Sequence, residues 1–405
     1  MNVLRLRHRS RDVVFRLAIV IYTLIVAVSS DHSNKATDDS QQGSPSSLSL
    51  SASSFDESLA RQIVNFTQAA YCVDQLVDWN CTVCGNFPGM RNVSILQGKS
   101  RNVRGFVGID LGTTSSSSSS SAFRKQQTLG VRNAPRQATA LLTFGLDEPP
   151  EYAGPLEARH AWRRHNLRAS DQSAASETLS SGKPRVVVTF AGTDPKSIKN
   201  WIDDIEAAQI AHVYGEDCQD CKVHRGFLAA YQVVQEQVRG TVAALLRNNP
   251  TADVLITGHS LGGALATLCF LDLRAFLGEN ENTATVSFAP LYIYGSPRVG
   301  NTAFAEYSAS RGVPIFRVVH YRDPVPHLPF KSWGYAHPPR EVFFDSPQTS
   351  FRVCDESGED PACSDQFWVM PNLAHLTDHL AYLEVDYTKA YLTCLLGAVD
   401  EVEEK

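Results

Sequence analysis

The residues Gly258-His259-Ser260-Leu261-Gly262 set a serine between two glycines, directly after the apolar run Val254-Leu255-Ile256 and directly before the small residues Gly263, Ala264 and Ala266. A serine hydroxyl attacks a carbonyl only if it is held clear of its neighbours and a base takes its proton. G-x-S-x-G between a strand and a helix meets the first condition, because side chains two residues before and after the serine would strike the neighbouring backbone and glycine removes them. The amide of Leu261, at the start of the following helix, then faces any negative charge that forms beside the hydroxyl. A Gly-rich strand-to-helix turn with no chemistry carries the same five residues, so the other parts of a site must be found elsewhere in the chain.

A serine nucleophile needs a base within hydrogen-bond reach, and the base needs a carboxylate to orient it. In sheet hydrolases these follow in the order Ser, Asp, His. Asp323 lies just past the apolar segment Ile315 to His320 and before Pro324, which fixes the loop and cannot continue a strand. Asp345 and Asp355, in irregular sequence, are weaker rivals. His379 is the base of choice, in Thr377-Asp378-His379-Leu380-Ala381-Tyr382, where a polar loop gives way to an apolar anchor; His375 is the runner-up. His259 is expected to pack behind the turn, and Asp378 is set aside as orienting acid because adjacent side chains rarely meet. Thr193 closes Phe190-Ala191-Gly192-Thr193, the place from which an earlier strand-to-helix loop supplies a second oxyanion donor. It offers both an amide and a hydroxyl.

These groups need a scaffold, and the chain from Arg185 onward alternates strand and helix. Val186-Val187-Val188 is the continuous β-branched run of a strand buried on both faces of a largely parallel sheet. Ile198, Trp201, Ile202 and Ile205, interleaved with Lys199, Asp203 and Asp204, predict a short amphipathic helix. A second helix is expected from about Gly226 to Arg247, with Tyr231, Val234, Val238, Val242 and Leu245 on one face, stopped by Asn248-Asn249-Pro250. After the serine turn, a helix reaches Gly278, Val286 to Tyr294 and Ile315 to His320 read as strands, and a short helix lies near Phe304. Upstream, Leu59, Ile63, Phe66 and Ala70 recur at helical spacing behind Asp56 and Glu57, and Val103 to Asp110 reads as a strand. This is the pattern of an α/β sheet whose site lies outside the carboxyl ends of its strands.

Of the 405 residues, 43% are hydrophobic and 20% charged, enough to bury a core, and the formal charge of −6 gives no electrostatic reason to expect a nucleic acid partner. One α/β domain is expected over 56–397. Residues 1–30 read as a signal peptide: Arg5, Arg7, Arg9 and Arg11 precede the apolar stretch Leu17 to Val28 and the small residues Ala27-Val28-Ser29, with an uncleaved membrane anchor as the alternative. Residues 31–55 read as a Ser-rich disordered lead, 398–405 as an acidic tail, and 111–183 as a low-complexity insert. The insert holds Ser115 to Ser121, the short apolar segment Ala140 to Phe144, and basic residues Arg159, Arg163, Arg164 and Arg168, read as a solvated loop rather than a contact to an anionic surface. Nine cysteines in a secreted chain suggest four disulfides and one thiol, and that compartment disfavours a zinc site made from Cys81-x-x-Cys84 and Cys218-x-x-Cys221. Asn65 and Asn92 head glycosylation sequons, and Asn80 heads a third that is the least usable.

Taken together, Phe190-Ala191-Gly192-Thr193, Asn200-Trp201, Val223-His224-Arg225-Gly226-Phe227, Gly258 to Ala264, Gly295-Ser296-Pro297-Arg298-Val299-Gly300, Asp323-Pro324-Val325-Pro326-His327-Leu328-Pro329 and Asp378-His379 resemble the fungal-type class 3 lipases, from Phe55 to Cys394 apart from the insert. The resemblance implies an α/β-hydrolase fold, with a mostly parallel central sheet flanked by helices and a short lid helix. It implies a serine lipase that hydrolyses carboxylic esters of acylglycerols at an oil–water or membrane interface, as a monomer and with no metal or cofactor. Carried over by position, Ser260, Asp323 and His379 match the triad, Thr193 and Leu261 the oxyanion donors, and Ile198, Trp201, Ile202 and Ile205 the lid. It also implies disulfides Cys72–Cys394, Cys81–Cys84 and Cys354–Cys363, so that Cys218 and Cys221 would pair and Cys269 would remain a thiol. Two features depart from the family pattern: Ala191 stands where an arginine is usual, and the 111–183 insert is additional. A feruloyl or other soluble-ester esterase, or a phospholipase, would use the same fold, and an inactive lipid-binding or host-interaction protein is the reading of another class.

Overall fold

A computed structural model describes residues 54–112, 183–212, 214, 218–278, 286–367 and 373–400. The expected signal, nearly all of the Ser-rich lead, the insert from 113 to 182 with its apolar segment and arginines, and the last five residues of the tail lie outside the described residues. Helix α1 (Glu57–Ala69) begins at the acidic pair: the Asp56 carboxylate accepts from the Leu59 amide at 3.0 Å and so satisfies one of the free donors of the first turn. Strands β1 (Met90–Gly98), β2 (Val103–Asp110) and β3 (Arg185–Phe190) pair antiparallel in succession. Then come α2 (Ile198–Asp203), the hairpin β4 (Gln209–Ala211) with β5 (Lys222–His224), α3 (Arg225–Gln232), α4 (Gln235–Asn248), β6 (Asp253–His259) and α5 (Leu261–Gly278). The chain continues through β7 (Leu291–Tyr294), α6 (Thr302–Ala309), β8 (Ile315–His320), β9 (Glu341–Phe344) and β10 (Phe351–Val353). It closes with α7 (Leu376–His379), the hairpin β11 (Ala381–Tyr382) with β12 (Val385–Asp386), and α8 (Tyr387–Asp400). The eight-stranded sheet runs β1-β2-β3-β6-β7-β8-β9-β10, parallel from β3 to β9 and antiparallel at both edges.

Successive side chains on a strand point to opposite faces, and the core divides accordingly. Val186, Val188, Val254, Ile256, Leu291 and Ile293 pack with α3, α4 and α5 on one face. Val187, Leu255, Tyr292, Tyr294, Phe316 and Val318 pack with α1 and the β11–β12 region on the other. Both faces are covered, which is why these strands read as unbroken apolar runs and not as alternating ones. Helix α5 is predominantly apolar because Gly262 to Leu273 lie buried; Asp272 among them is partnered by Tyr231, Gln235 and Arg239.

Several boundaries differ from expectation. The helix expected over 226–247 is two helices: the amides of Val233 and Val234 bond back only three residues, to Ala230 and Tyr231, and this tighter turn breaks the run. It lets α3 bury Phe227 and Tyr231 while α4 buries Val238, Val242 and Leu245. The strand expected from Val286 is reduced to Leu291–Tyr294, since Pro290 has no amide to give the ladder and only Phe288 forms an isolated bridge upstream. The helix expected from Ile198 to Ile205 stops at Asp203. Residues 398–400, expected in the tail, continue α8. Strands β1, β9 and β10 of the large sheet, and the hairpins β4–β5 and β11–β12, are additions to the expected set.

Candidate active site

Ser260 stands between β6 and α5 with φ of 59°, a left-handed backbone that non-glycine residues rarely adopt. The turn has no room for side chains on either flank. A Cβ on Gly258 would sit 2.1 Å from the Gly262 carbonyl oxygen, and one on Gly262 would sit 2.2 Å from that of Phe190. The Ser260 amide donates to the Tyr294 carbonyl at 2.9 Å, tying the elbow to the end of β7.

Asp323 follows β8 in a turn closed by its own amide on the His320 carbonyl, and its Oδ1 accepts from the Val325 amide at 2.8 Å. Both carboxylate oxygens face Nδ1 of His379, at 3.0 and 2.9 Å, and the Tyr382 hydroxyl donates to Oδ2. A carboxylate accepts, so Nδ1 carries the proton and Nε2 presents a lone pair. This pair lies close to the elbow: a Cβ on Gly295, the residue after Tyr294, would be 2.7 Å from Asp323 Oδ2 and 3.1 Å from His379 Nδ1. All three side chains are buried.

Most buried polar groups in proteins have a partner. Here Ser260 Oγ, His379 Nε2 and Thr193 Oγ1 are buried with none. The hydroxyl and the imidazole therefore stand without a bond to each other, an arrangement common in free enzymes, where catalytic hydrogen bonds tighten only around substrate. The cover is α2. Ile198 and Ile202 pack on Val325 and Leu328, with Trp201, Ile205, Phe330 and Leu376 beside them, and Trp201 stacks on Phe227 at 6.1 Å. A cavity of about 600 Å³ opens next to the elbow, lined by apolar Trp201, Ile205, Phe227 and Leu261 and by charged Glu206 and Arg225.

The rival residues stand apart. The side chain of His375 is 31% exposed, 3.9 Å from Asp378. Asp345 holds Ser350, and Asp355 holds Ser357. Asp378 touches the imidazole of His320 through its backbone carbonyl, and burial raises the pKa of its carboxyl. His259 does pack behind the turn, stacked on Tyr387 at 3.7 Å, and burial together with the neighbouring His379 holds it neutral, well below the ordinary histidine range. Sequence reasoning missed Tyr382 and Tyr71. The first was legible only as a tyrosine three residues after the base, the second only as the residue before Cys72.

Disulfides join Cys72 to Cys394, Cys81 to Cys84, Cys218 to Cys221 and Cys354 to Cys363, and Cys269 is a buried thiol whose pKa burial pushes up. Glu341, Cys354 and Cys363 bring ligand-type atoms together, but both sulfurs are consumed in a disulfide and offer no thiolate. The family's usual arginine is absent at Ala191, and the cation beside this loop's neighbour Tyr71 is Arg104 of β2, 5.8 Å from its ring centroid.

The family described as lipase (class 3) matches residues 187–333. A lipase of Rhizomucor miehei is 37% identical over 203 residues, 50% of this chain and 52% of the relative. The secreted mono- and diacylglycerol lipase A of Penicillium cyclopium is 36% identical over 165 residues, 41% of this chain and 50% of the relative. The chain thus spans about half the length of the curated relatives it matches. Among solved structures, lipase II from Rhizopus niveus superposes with a TM-score of 0.55 at 23% identity, covering 81% of this chain and 94% of that one. The shared fold is that of the α/β-hydrolases.

Proposed function

We infer that this chain, whose residues 187–333 match the class 3 lipase family, is a serine hydrolase that cleaves the carboxylic esters of acylglycerols at a lipid surface. The observation that carries this reading is that Ser260 Oγ, His379 Nε2 and Thr193 Oγ1 are each buried without a partner, with Gly192 wedged against Ser260 and Gly295 against the Asp323–His379 pair. In this reading Ser260 attacks the ester carbonyl while His379 Nε2 takes its proton. Asp323 holds the imidazole in the required tautomer and stabilises the imidazolium. Thr193 and the Leu261 amide stabilise the tetrahedral oxyanion, and His379 returns the proton to the departing alcohol, leaving an acyl-enzyme for water to cleave. Helix α2 serves as the lid. Its packing of Ile198 and Ile202 over the Asp323 loop keeps the site shut in water and would present apolar surface to lipid once displaced.

The same reading makes 56–397 the catalytic domain behind a signal at 1–30, and makes the protein extracellular. The four disulfides support an oxidising compartment. Of the sequons, exposed Asn92 suits glycosylation, whereas Asn65 lies within α1 and its partner Thr67 is buried. The test is hydrolysis of triolein, phosphatidylcholine and methyl ferulate by wild type and Ser260→Ala, with fluorophosphonate labelling of both. Cleavage of triolein and labelling of the wild type alone are expected. Preference for methyl ferulate, with no rise in rate at a lipid surface, would make it a soluble-ester esterase; equal labelling of Ser260→Ala would remove the serine mechanism.

A further inference from the structure

Three hydrogen bonds run from the loop before Thr193 to the backbone of His379. The Gly192 amide donates to Tyr71 Oη at 3.0 Å, Tyr71 Oη lies 2.8 Å from His259 Nδ1, and His259 Nε2 lies 2.8 Å from the His379 carbonyl oxygen. The carbonyl at the far end sets the direction of the whole chain. A carbonyl only accepts, so Nε2 of His259 bears the proton; in a neutral ring Nδ1 is then bare and takes the Tyr71 proton. The lone pairs of Tyr71 Oη are left for Gly192. Each donor has one place to go, so the arrangement has a single polarity.

The chain is also clamped from behind. His259 stacks face to face on Tyr387 with ring planes 13° apart, and Tyr387 Oη meets Thr67 Oγ1 of α1 at 2.7 Å. Cys72, next to Tyr71, is bonded to Cys394 of α8, the helix that begins with Tyr387. An apolar pair of the same volume would fill this space without desolvating a hydroxyl and an imidazole, which is the costlier choice unless their polarity is used.

Resting on the serine hydrolase reading above, we propose that Tyr71 and His259 are positioning residues that lock the Gly192–Thr193 oxyanion loop and the His379 base into one fixed geometry around Ser260. Neither touches substrate. They act through the Gly192 amide on one side and the His379 carbonyl on the other, and small displacements of either group cost rate far more than they cost binding. A Cβ on Gly192 would lie 2.4 Å from Tyr71 Oη and 2.7 Å from Ser260 Cβ, so the loop is wedged between the proposed lock and the nucleophile.

The test uses the full chain with Tyr71→Phe, His259→Leu and His259→Gln, the last keeping one donor and one acceptor. Rates on a soluble p-nitrophenyl ester are divided by the concentration of fluorophosphonate-titrated Ser260, so that loss of folded protein does not count. The expected result is kcat per titrated site lower by roughly 10–100-fold in Tyr71→Phe and His259→Leu, with KM within about twofold and partial recovery in His259→Gln. Affinity for a trifluoromethyl ketone, whose adduct carries the oxyanion, should fall in parallel with kcat. Unchanged kcat per titrated site in Tyr71→Phe and His259→Leu would overturn the proposal and leave the hydrolase reading intact. Failure of the wild type to titrate at Ser260 would overturn both.

Discussion

Both carboxylate oxygens of Asp323 face a single nitrogen, Nδ1 of His379, at 3.0 and 2.9 Å, with the pair sealed from solvent. That contact decides which imidazole nitrogen is free to act as a base. Asp323→Asn should therefore leave the fold in place but permit the wrong tautomer, lowering kcat by about 10⁴-fold. The check is turnover of a soluble ester per folded molecule. Activity within tenfold of wild type would mean that another carboxylate orients the ring.

The lid assignment predicts a defect that depends on the physical state of the substrate. Ile202 is nearly buried against Val325 and Leu328, and an isoleucine in such a place contributes about 1.5–3 kcal/mol to the closed form. Ile202→Ser should shift the open–closed balance by tenfold or more, raising the rate on dissolved tributyrin and shrinking the jump at its solubility limit. If rates above and below that limit change by one common factor, α2 is an ordinary packing helix.

How far the sequence revealed this arrangement depends on how local each signal was. The elbow was fully legible, since Gly258, Ser260 and Gly262 encode a steric requirement within five residues. Asp323 was legible because it follows a strand with its own pattern, and His379 because it stands where a polar loop gives way to an apolar segment. The hydrogen-bonded chain through Tyr71 was not, because it joins residues 188 apart in sequence and nothing around Tyr71 distinguishes it from the end of a helix. Strands β9 and β10 escaped for a related reason: they are only four and three residues long, and their pairing is fixed by β8 and not by any periodicity of their own. Strand β7 is shorter than the apolar run from Val286 predicts, because Pro290 has no amide for the ladder.

The fully buried guanidinium of Arg298 donates to both oxygens of Glu359, at 2.7 and 2.6 Å, and to the Pro329 carbonyl at 3.1 Å. Removing one partner leaves a charge in the interior, so Glu359→Gln should lower unfolding stability by about 3–5 kcal/mol. The double variant Arg298→Met, Glu359→Leu should lose less than that single one, because it leaves no orphaned charge. Urea unfolding with an unchanged slope is the measurement, and a double variant that loses as much as Glu359→Gln or more would show that the stranded guanidinium is not the source of the cost.

Stability should also fall on mild acidification, and His327 is one place to read it. Burial, with the Arg298 guanidinium next in effect, brings its pKa down to about 4, while Asp323, Asp365 and Glu359 pull the other way without prevailing. An unfolded chain binds that proton near pH 6.5 and the folded one does not, so between about pH 6.5 and 4 the unfolded state holds more protons and folding weakens as pH falls. The stability is present above the unfolded value and is lost on the way down to the folded one. Over pH 7 to 5 the shift amounts to about 2 kcal/mol for this residue alone. His259 and His337, also held neutral by burial, add to the same slope. His327→Gln removes the titrating group, so whatever it does to stability at pH 7, its loss between pH 7 and 5 should be about 2 kcal/mol smaller than that of the wild type. Parallel urea-midpoint curves for the two proteins over that interval would show that His327 takes up its proton as readily in the folded chain as in the unfolded one.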